Sequence, residues 1–241
     1  MKKQILDKKI HFINHGMSYI FKISFTGIFL AVAILLSLIG GFIKVFNFLS
    51  LNFSFIAIFI IFYVIGYDFA FLAIIANLAI TPLVLVNSGS DISIRYLGNF
   101  IISIWQMVFL SSYILFYNSL HAKFKRWNNI FNHILSGLIS ILIAAFVLMI
   151  LNTFLFNVIY FRILNIIKSF SLKEITEIYP MTLKNLFFGV QNYYFGSFLL
   201  YFVFNLLNIT SNFIIILIFI LWDEKQSIAN NLRNVHQNHK Y

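Results

Sequence analysis

The chain has 241 residues, 61% of them hydrophobic and only 10% charged, and its mean hydropathy is +0.92. Values this far from ordinary soluble usage exclude a soluble globular domain, so the chain reads as one polytopic membrane domain over 1–241. The formal net charge of +10 comes from basic residues beside apolar runs, which are topology signals rather than a nucleic-acid surface, and Cys 0 removes disulfides, thiolate nucleophiles and Cys-based metal sites.

A hydrocarbon core of about 30 Å needs about 20 apolar residues per helix, and that length divides the chain. The first run covers about 18–40, after a Lys-rich start, and ends at Gly40-Gly41. Ala31-Val32-Ala33 resembles a signal-peptide cleavage site, but the apolar run continues past it, which favours a first span. A half-polar segment with Asn47, Ser50, Asn52 and Ser54 follows. The next run is too long for one helix and is broken at Gly66-Tyr67-Asp68, which predicts a short helix over 55–66, a turn and a third helix over 68–86. Helices four and five are expected over 95–118 and 130–157. Residues 158–204 read as an interfacial segment that lies across or re-enters the membrane surface before a sixth helix over 205–222. With both termini cytoplasmic, eleven of the 17 Lys and Arg fall on inner segments and six outside, as the positive-inside rule asks.

Catalysis and proton coupling need ionisable groups at depth, and the acids lie at loops and ends except Asp68, which sits in a turn where Asp is common. The histidines also cluster at ends and loops, and no HExxH, P-loop or Gly-x-Ser-x-Gly occurs. No enzyme, cofactor or metal is therefore expected. The interior offers amides, hydroxyls and aromatics instead, among them Asn77, Asn99, Gln106, Tyr113, Asn152, Asn205 and Asn208. In "YFVFNLLNITSNF", 201–213, Asn205, Asn208 and Asn212 recur at i, i+3 and i+7 and share one helix face. Such a face either lines an apolar cavity for a small polar ligand or bonds to neighbouring helices as packing glue. Some Asn and Phe also reflect AT-rich codon usage, given 31 Phe and abundant Ile, Asn and Lys.

Five stretches carry a resemblance to a known family. They are "GIFLA" (27–31), "LSLNFSFIAIFIIFYVIGYDFAF" (49–71), "IRYLGNFIISIWQMVFLSSYILF" (94–116), "GLISILIAAFVLMILNTFLFNVIY" (137–160) and "VFNLLNI" (203–209). Together they resemble the substrate-binding S components of energy-coupling factor (ECF) vitamin transporters, and the riboflavin-specific branch most closely. That resemblance implies an all-α integral membrane fold of six transmembrane helices. It also implies a substrate site of Asn205, Asn208, Asn99 and Asn152, with Asn47 and Leu51 from a gating loop. Gly27 and Ala31 would meet a transmembrane coupling subunit served by two ATPase subunits, in the cell membrane of a bacterium. The branch carries Pro-Phe-Asn-Leu-hydrophobic-Lys-Gly at the sixth helix; here Asn205 matches, while Val203, Asn208 and Ile209 replace the Pro, Lys and Gly. A ligand-free membrane scaffold is the alternative, in which the Asn205–Asn208 face is packed shut instead of lining a cavity with Asn99 and Asn152.

Overall fold

In the computed structural model the described residues are 17–46, 49–84, 91–123, 129–227 and 229. The chain is a helical bundle: α1 (Tyr19–Gly41), α2 (Ser54–Val64), α3 (Tyr67–Val84), α4 (Ile92–Lys123), α5 (Asn129–Leu151), α6 (Asn157–Ile163), α7 (Leu172–Ile178) and α8 (Tyr193–Gln226). A π-helical turn, Asn152–Phe156, joins α5 to α6 without a break. Two-residue strands β1 (Lys44–Val45) and β2 (Leu49–Ser50) pair antiparallel in the α1–α2 connection. Five helices are long and apolar enough to cross a membrane: α1, α3, α4, the continuous α5–α6 unit and α8. The chain is thus an all-α protein of the multi-pass membrane type.

Contacts between helices set their directions. Ser37, near the end of α1, meets Asn52, just before α2. Tyr19, at the start of α1, packs its ring on Phe69 at the start of α3, and Tyr63, at the end of α2, bonds to Asp223 near the end of α8. Arg95 of α4 bonds to the Pro82 carbonyl at the end of α3. Tyr113 of α4 meets His133 of α5, and Thr153 meets Ser197 of α8. The helices therefore alternate in direction, and the start of α1 and the end of α8 lie at the same end of the bundle. We call that end inner, and the end with the hairpin and α7 outer, as labels for the two ends of the bundle alone.

Helix α2 is exceptional. Its 11 residues rise only about 16 Å, about half a bilayer core. Ser54, Phe55, Ala57, Ile58, Phe59, Ile61, Phe62 and Val64 are all buried. Gly66 makes the turn into α3 at φ 134°, a conformation that side chains resist. The turn falls one residue earlier than the sequence implies, so Asp68 lies exposed in the first turn of α3, where a carboxylate favours the helix N-terminus.

Small residues let α5 approach its partners. Ser136, Gly137, Ser140, Ala144 and Ala145 form a buried seam at helical spacing, and a Cβ at Gly137 would overlap the Phe213 ring of α8. At the outer end a second core joins Phe161, Ile175, Tyr179, Phe187, Tyr193 and Tyr201, with Phe46 and Leu49 of the hairpin packed against it.

The last long helix differs from expectation. It runs from Tyr193, not 205, and continues to Gln226. Asn192 caps it by accepting from the Phe195 N–H, and Gly196, Ser197, Leu200 and Tyr201 are buried along one face. Residues 193–204 are therefore core helix, and α6 extends the fifth helix. Only 164–192 remains as the irregular outer segment. Hydropathy alone read a run longer than one span as two elements, whereas a helix of 34 residues simply projects beyond the core, at about 51 Å.

Within 164–192, the Glu174 carboxylate accepts from the Lys168 and Ser169 N–H groups and the Ser169 hydroxyl, at 2.6, 3.0 and 2.7 Å. These donors hold its pKa below the ordinary 4.5. The loop contribution is complete above that ordinary value and is lost as pH falls through the lower folded value. Amide protection at Lys168 and Ser169, taken relative to the intrinsic exchange rate at each pH, should accordingly fall on acidification, and Glu174→Gln should remove the pH step. Gly137→Ala should cost about 1–3 kcal/mol in detergent unfolding, with partial rescue by Phe213→Leu.

Candidate functional site

A helix that begins inside the bundle leaves backbone N–H groups without partners, and in a bilayer no water is at hand to satisfy them. Asn52, two residues before α2, meets this need. Its side-chain oxygen accepts from the Ser54 N–H and hydroxyl at 3.0 and 2.5 Å, an Asx turn that starts the helix. Its own N–H donates to Asn208 Oδ1 at 2.9 Å, and its carbonyl accepts from Asn212 Nδ2 at 2.8 Å. Its amide nitrogen donates to Ser37 of α1 at 2.8 Å. Ser54 in turn accepts from Gln106 Nε2 of α4 at 2.9 Å. One residue thus ties α1, α2, α4 and α8 together. Gly40 makes the approach possible, since a Cβ there would sit 2.6 Å from the Leu51 carbonyl oxygen.

This resolves the polar face of α8 into different tasks. Asn208 and Asn212 are capping groups for a buried helix start. Asn205, one turn outward and buried, makes no side-chain hydrogen bond, and its Nδ2 is unpartnered. The contacts of Gly137 with Phe213 and of Thr153 with Ser197 fix the antiparallel register of α5 on α8. In that register Asn205 lies at the height of Ala144 and Ala145, where the seam is narrow.

On α4, Asn99, Ser103 and Gln106 share a buried face. Asn99 Nδ2 is spent on the Arg95 carbonyl of its own helix, but Asn99 Oδ1, Gln106 Oε1 and the Trp105 indole N–H have no partner. Each such atom costs about 1–3 kcal/mol. Asn152 donates to the Leu148 carbonyl at 2.8 Å, and no hydrogen bond joins it to Asn99, Asn205 or Asn208. Farther outward, Thr153, Asn157, Ser197, Tyr193 and Tyr201 form a closed network: Asn157 donates to Tyr193 and Ser197 and accepts from Tyr201, and Tyr193 donates to the Thr153 carbonyl. The π-helical turn carries Thr153 and precedes Asn157 in this network.

Of the residues expected to form the site, the structure brings Asn208 to the α1–α2 connection and leaves Asn205 and Asn99 with unused bonding capacity. The connection residue that meets α8 is Asn52, adjacent to Leu51, whose N–H closes the hairpin on the Ile43 carbonyl. Asn47 lies outside the described residues. Two surface grooves, of about 580 and 390 Å³, are lined by residues such as Ile75, Phe100, Leu142 and Phe146 and by none of these amides. Gly27 and Ala31 are exposed on the outer face of α1. Ser37 was the participant that sequence reasoning passed over; its spacing from Gly40 on one helix face is the available signal.

Two substitutions of similar size should separate the roles on α8. Asn212→Leu should lower unfolding free energy by about 1–3 kcal/mol, because it strips the Asn52 carbonyl of its donor. Asn205→Leu, which deletes an unbonded amide, should leave stability unchanged or raise it in the same detergent unfolding assay. No protein family model, no curated protein and no solved structure matches the chain.

Proposed function

We propose that this chain is a substrate-binding S component of an ECF-type transporter. It would capture a vitamin-like, uncharged polar molecule from outside for uptake driven by a coupling subunit and two ATPase subunits. In this reading the bundle crosses the cell membrane six times, α2 serving as the second crossing together with the hairpin that precedes it, and both termini are cytoplasmic. The observation that carries the proposal is the buried, unbonded Asn205 side chain; on α4, Asn99 Oδ1 and Gln106 Oε1 are likewise unpaired. Buried polar atoms without a partner are uncommon in native cores, and a bound polar molecule is one thing that satisfies them.

Two further features support it. The hairpin over the outer end is held through Asn52 by two bonds to α8, so lifting it frees Asn208 and Asn212 beside Asn205. The exposed Gly27 and Ala31 leave a small-residue face on α1 for close approach of a partner helix. Riboflavin is the first ligand to try. Where the riboflavin branch has Lys, Asn208 offers a neutral donor and acceptor instead.

The second reading, a ligand-free membrane scaffold, draws on one specific observation: Asn208 and Asn212 are already consumed by Asn52. The two are separated by purifying the protein in mild detergent, denaturing it and identifying any released molecule by absorbance and mass spectrometry, alongside thermal shifts across a vitamin panel. The S-component reading expects a stoichiometric ligand or a shift with one vitamin, lost in folded Asn205→Leu. Neither ligand nor shift in the wild type would leave the scaffold.

A further inference from the structure

The inner end of the bundle holds a second polar cluster, separate from the amides. Among the described residues Asp223 is the only buried acid, and His133 is buried at 3% exposure. The C-terminal turn of α8 closes over Asp223: Ser227 adopts the left-handed conformation, and the Ala229 N–H donates to Asp223 Oδ1 at 2.7 Å. Tyr63 of α2 donates to Asp223 Oδ2 at 3.1 Å. The Tyr63 ring lies 6.2 Å from the imidazole of His133, whose Nδ1 is 2.5 Å from the Tyr113 hydroxyl. The Tyr117 ring is 4.4 Å from the same imidazole, centroid to centroid. Asn132, next in sequence and fully buried, has no partner for either amide atom.

We propose that this cluster is a proton-binding site, with His133 as the group that takes the proton. Tyr63 bonds to the carboxylate and sets its ring near the histidine, and the Tyr117 ring packs on the imidazole. Aromatic faces favour a cation, and His is the side chain whose charge changes near neutral pH. In the neutral state Nε2 carries the ring proton and Nδ1 accepts from the Tyr113 hydroxyl. On uptake of a proton from solution, Nδ1–H donates to the Tyr113 oxygen, and the hydroxyl hydrogen turns away. The bond survives with its direction reversed, at the cost of the acceptor that the Tyr113 hydroxyl hydrogen had in Nδ1. Asp223, held by Tyr63 and Ala229, supplies the compensating negative charge. The titratable groups facing the site are Tyr63 from α2, Tyr113, Tyr117 and the stacked His121 from α4, and Asp223 and Glu224 from α8, the last within electrostatic reach of Tyr117.

The site is independent of any ligand at the outer end. Its test is ¹⁵N NMR of histidine-labelled full-length protein in lipid nanodiscs from pH 5 to 8, with His133→Gln identifying the His133 signals among the six histidines. The His133 ring nitrogens are expected to titrate within this range. The midpoint should fall by about one pH unit, tenfold in proton affinity, in Asp223→Asn. It should also fall in Tyr63→Phe, which keeps the carboxylate and serves if Asp223→Asn does not fold. A His133 ring that does not titrate between pH 5 and 8, or a midpoint unmoved by loss of either the carboxylate or the Tyr63 hydroxyl, overturns the proposal.

Discussion

The structure depends on how a helix can begin inside the bundle. Gln106 lies near the middle of α4 and Asn208 near the middle of α8, and both belong to the group around Asn52 that starts α2. Where water is excluded, a helix start needs bonding groups from its neighbours, and amides provide both a donor and an acceptor. The backbone N–H and carbonyl of Asn52 are each met by an α8 amide, and its side chain by Ser37 and Ser54. Interhelical bonds of this kind are worth about 0.6–2 kcal/mol each in membranes, so the set as a whole fixes where the hairpin rests.

The same residue type serves three ends on α6 and α8. Asn208 and Asn212 complete a backbone, Asn157 knits the outer network of tyrosines, and Asn205 is left without a bond. Composition cannot separate these cases. Packing separates them: Asn208 and Asn212 meet the Asn52 backbone, Asn157 meets Tyr193, Ser197 and Tyr201, and among the described residues nothing polar reaches Asn205.

Much of the architecture was legible in the amino-acid order. Apolar run lengths located the first five helices to within a few residues, and the spacing of Asn205, Asn208 and Asn212 placed them on one face. Two features were hidden, each for a physical reason. Hydropathy cannot say whether a long apolar stretch is one helix projecting from the bilayer or two elements, so α8 was divided where Asn192 alone marks its start. Asp223 looked terminal in sequence, but the left-handed Ser227 turns the chain back over it, a tertiary event with no local signature beyond a polar residue after a helix. The connection was correctly read as half-polar, yet which of its residues reaches α8 depends on the close approach at Gly40.

The length of α2 also bears on how the protein is made. A segment of 11 residues is well below the about 17–25 that an insertion machinery reads as a span. During synthesis α2 therefore cannot be integrated on its own merits. It must enter together with α3, through the tight turn at Gly66, as a helical hairpin that gains its final depth only when α4 and α8 arrive to cap it. The last helix to be synthesised carries the amides that secure the start of the second. Until α8 is made, the hairpin has its bonds to α1 and α4 but the Asn52 N–H and carbonyl still lack the partners that Asn208 and Asn212 supply.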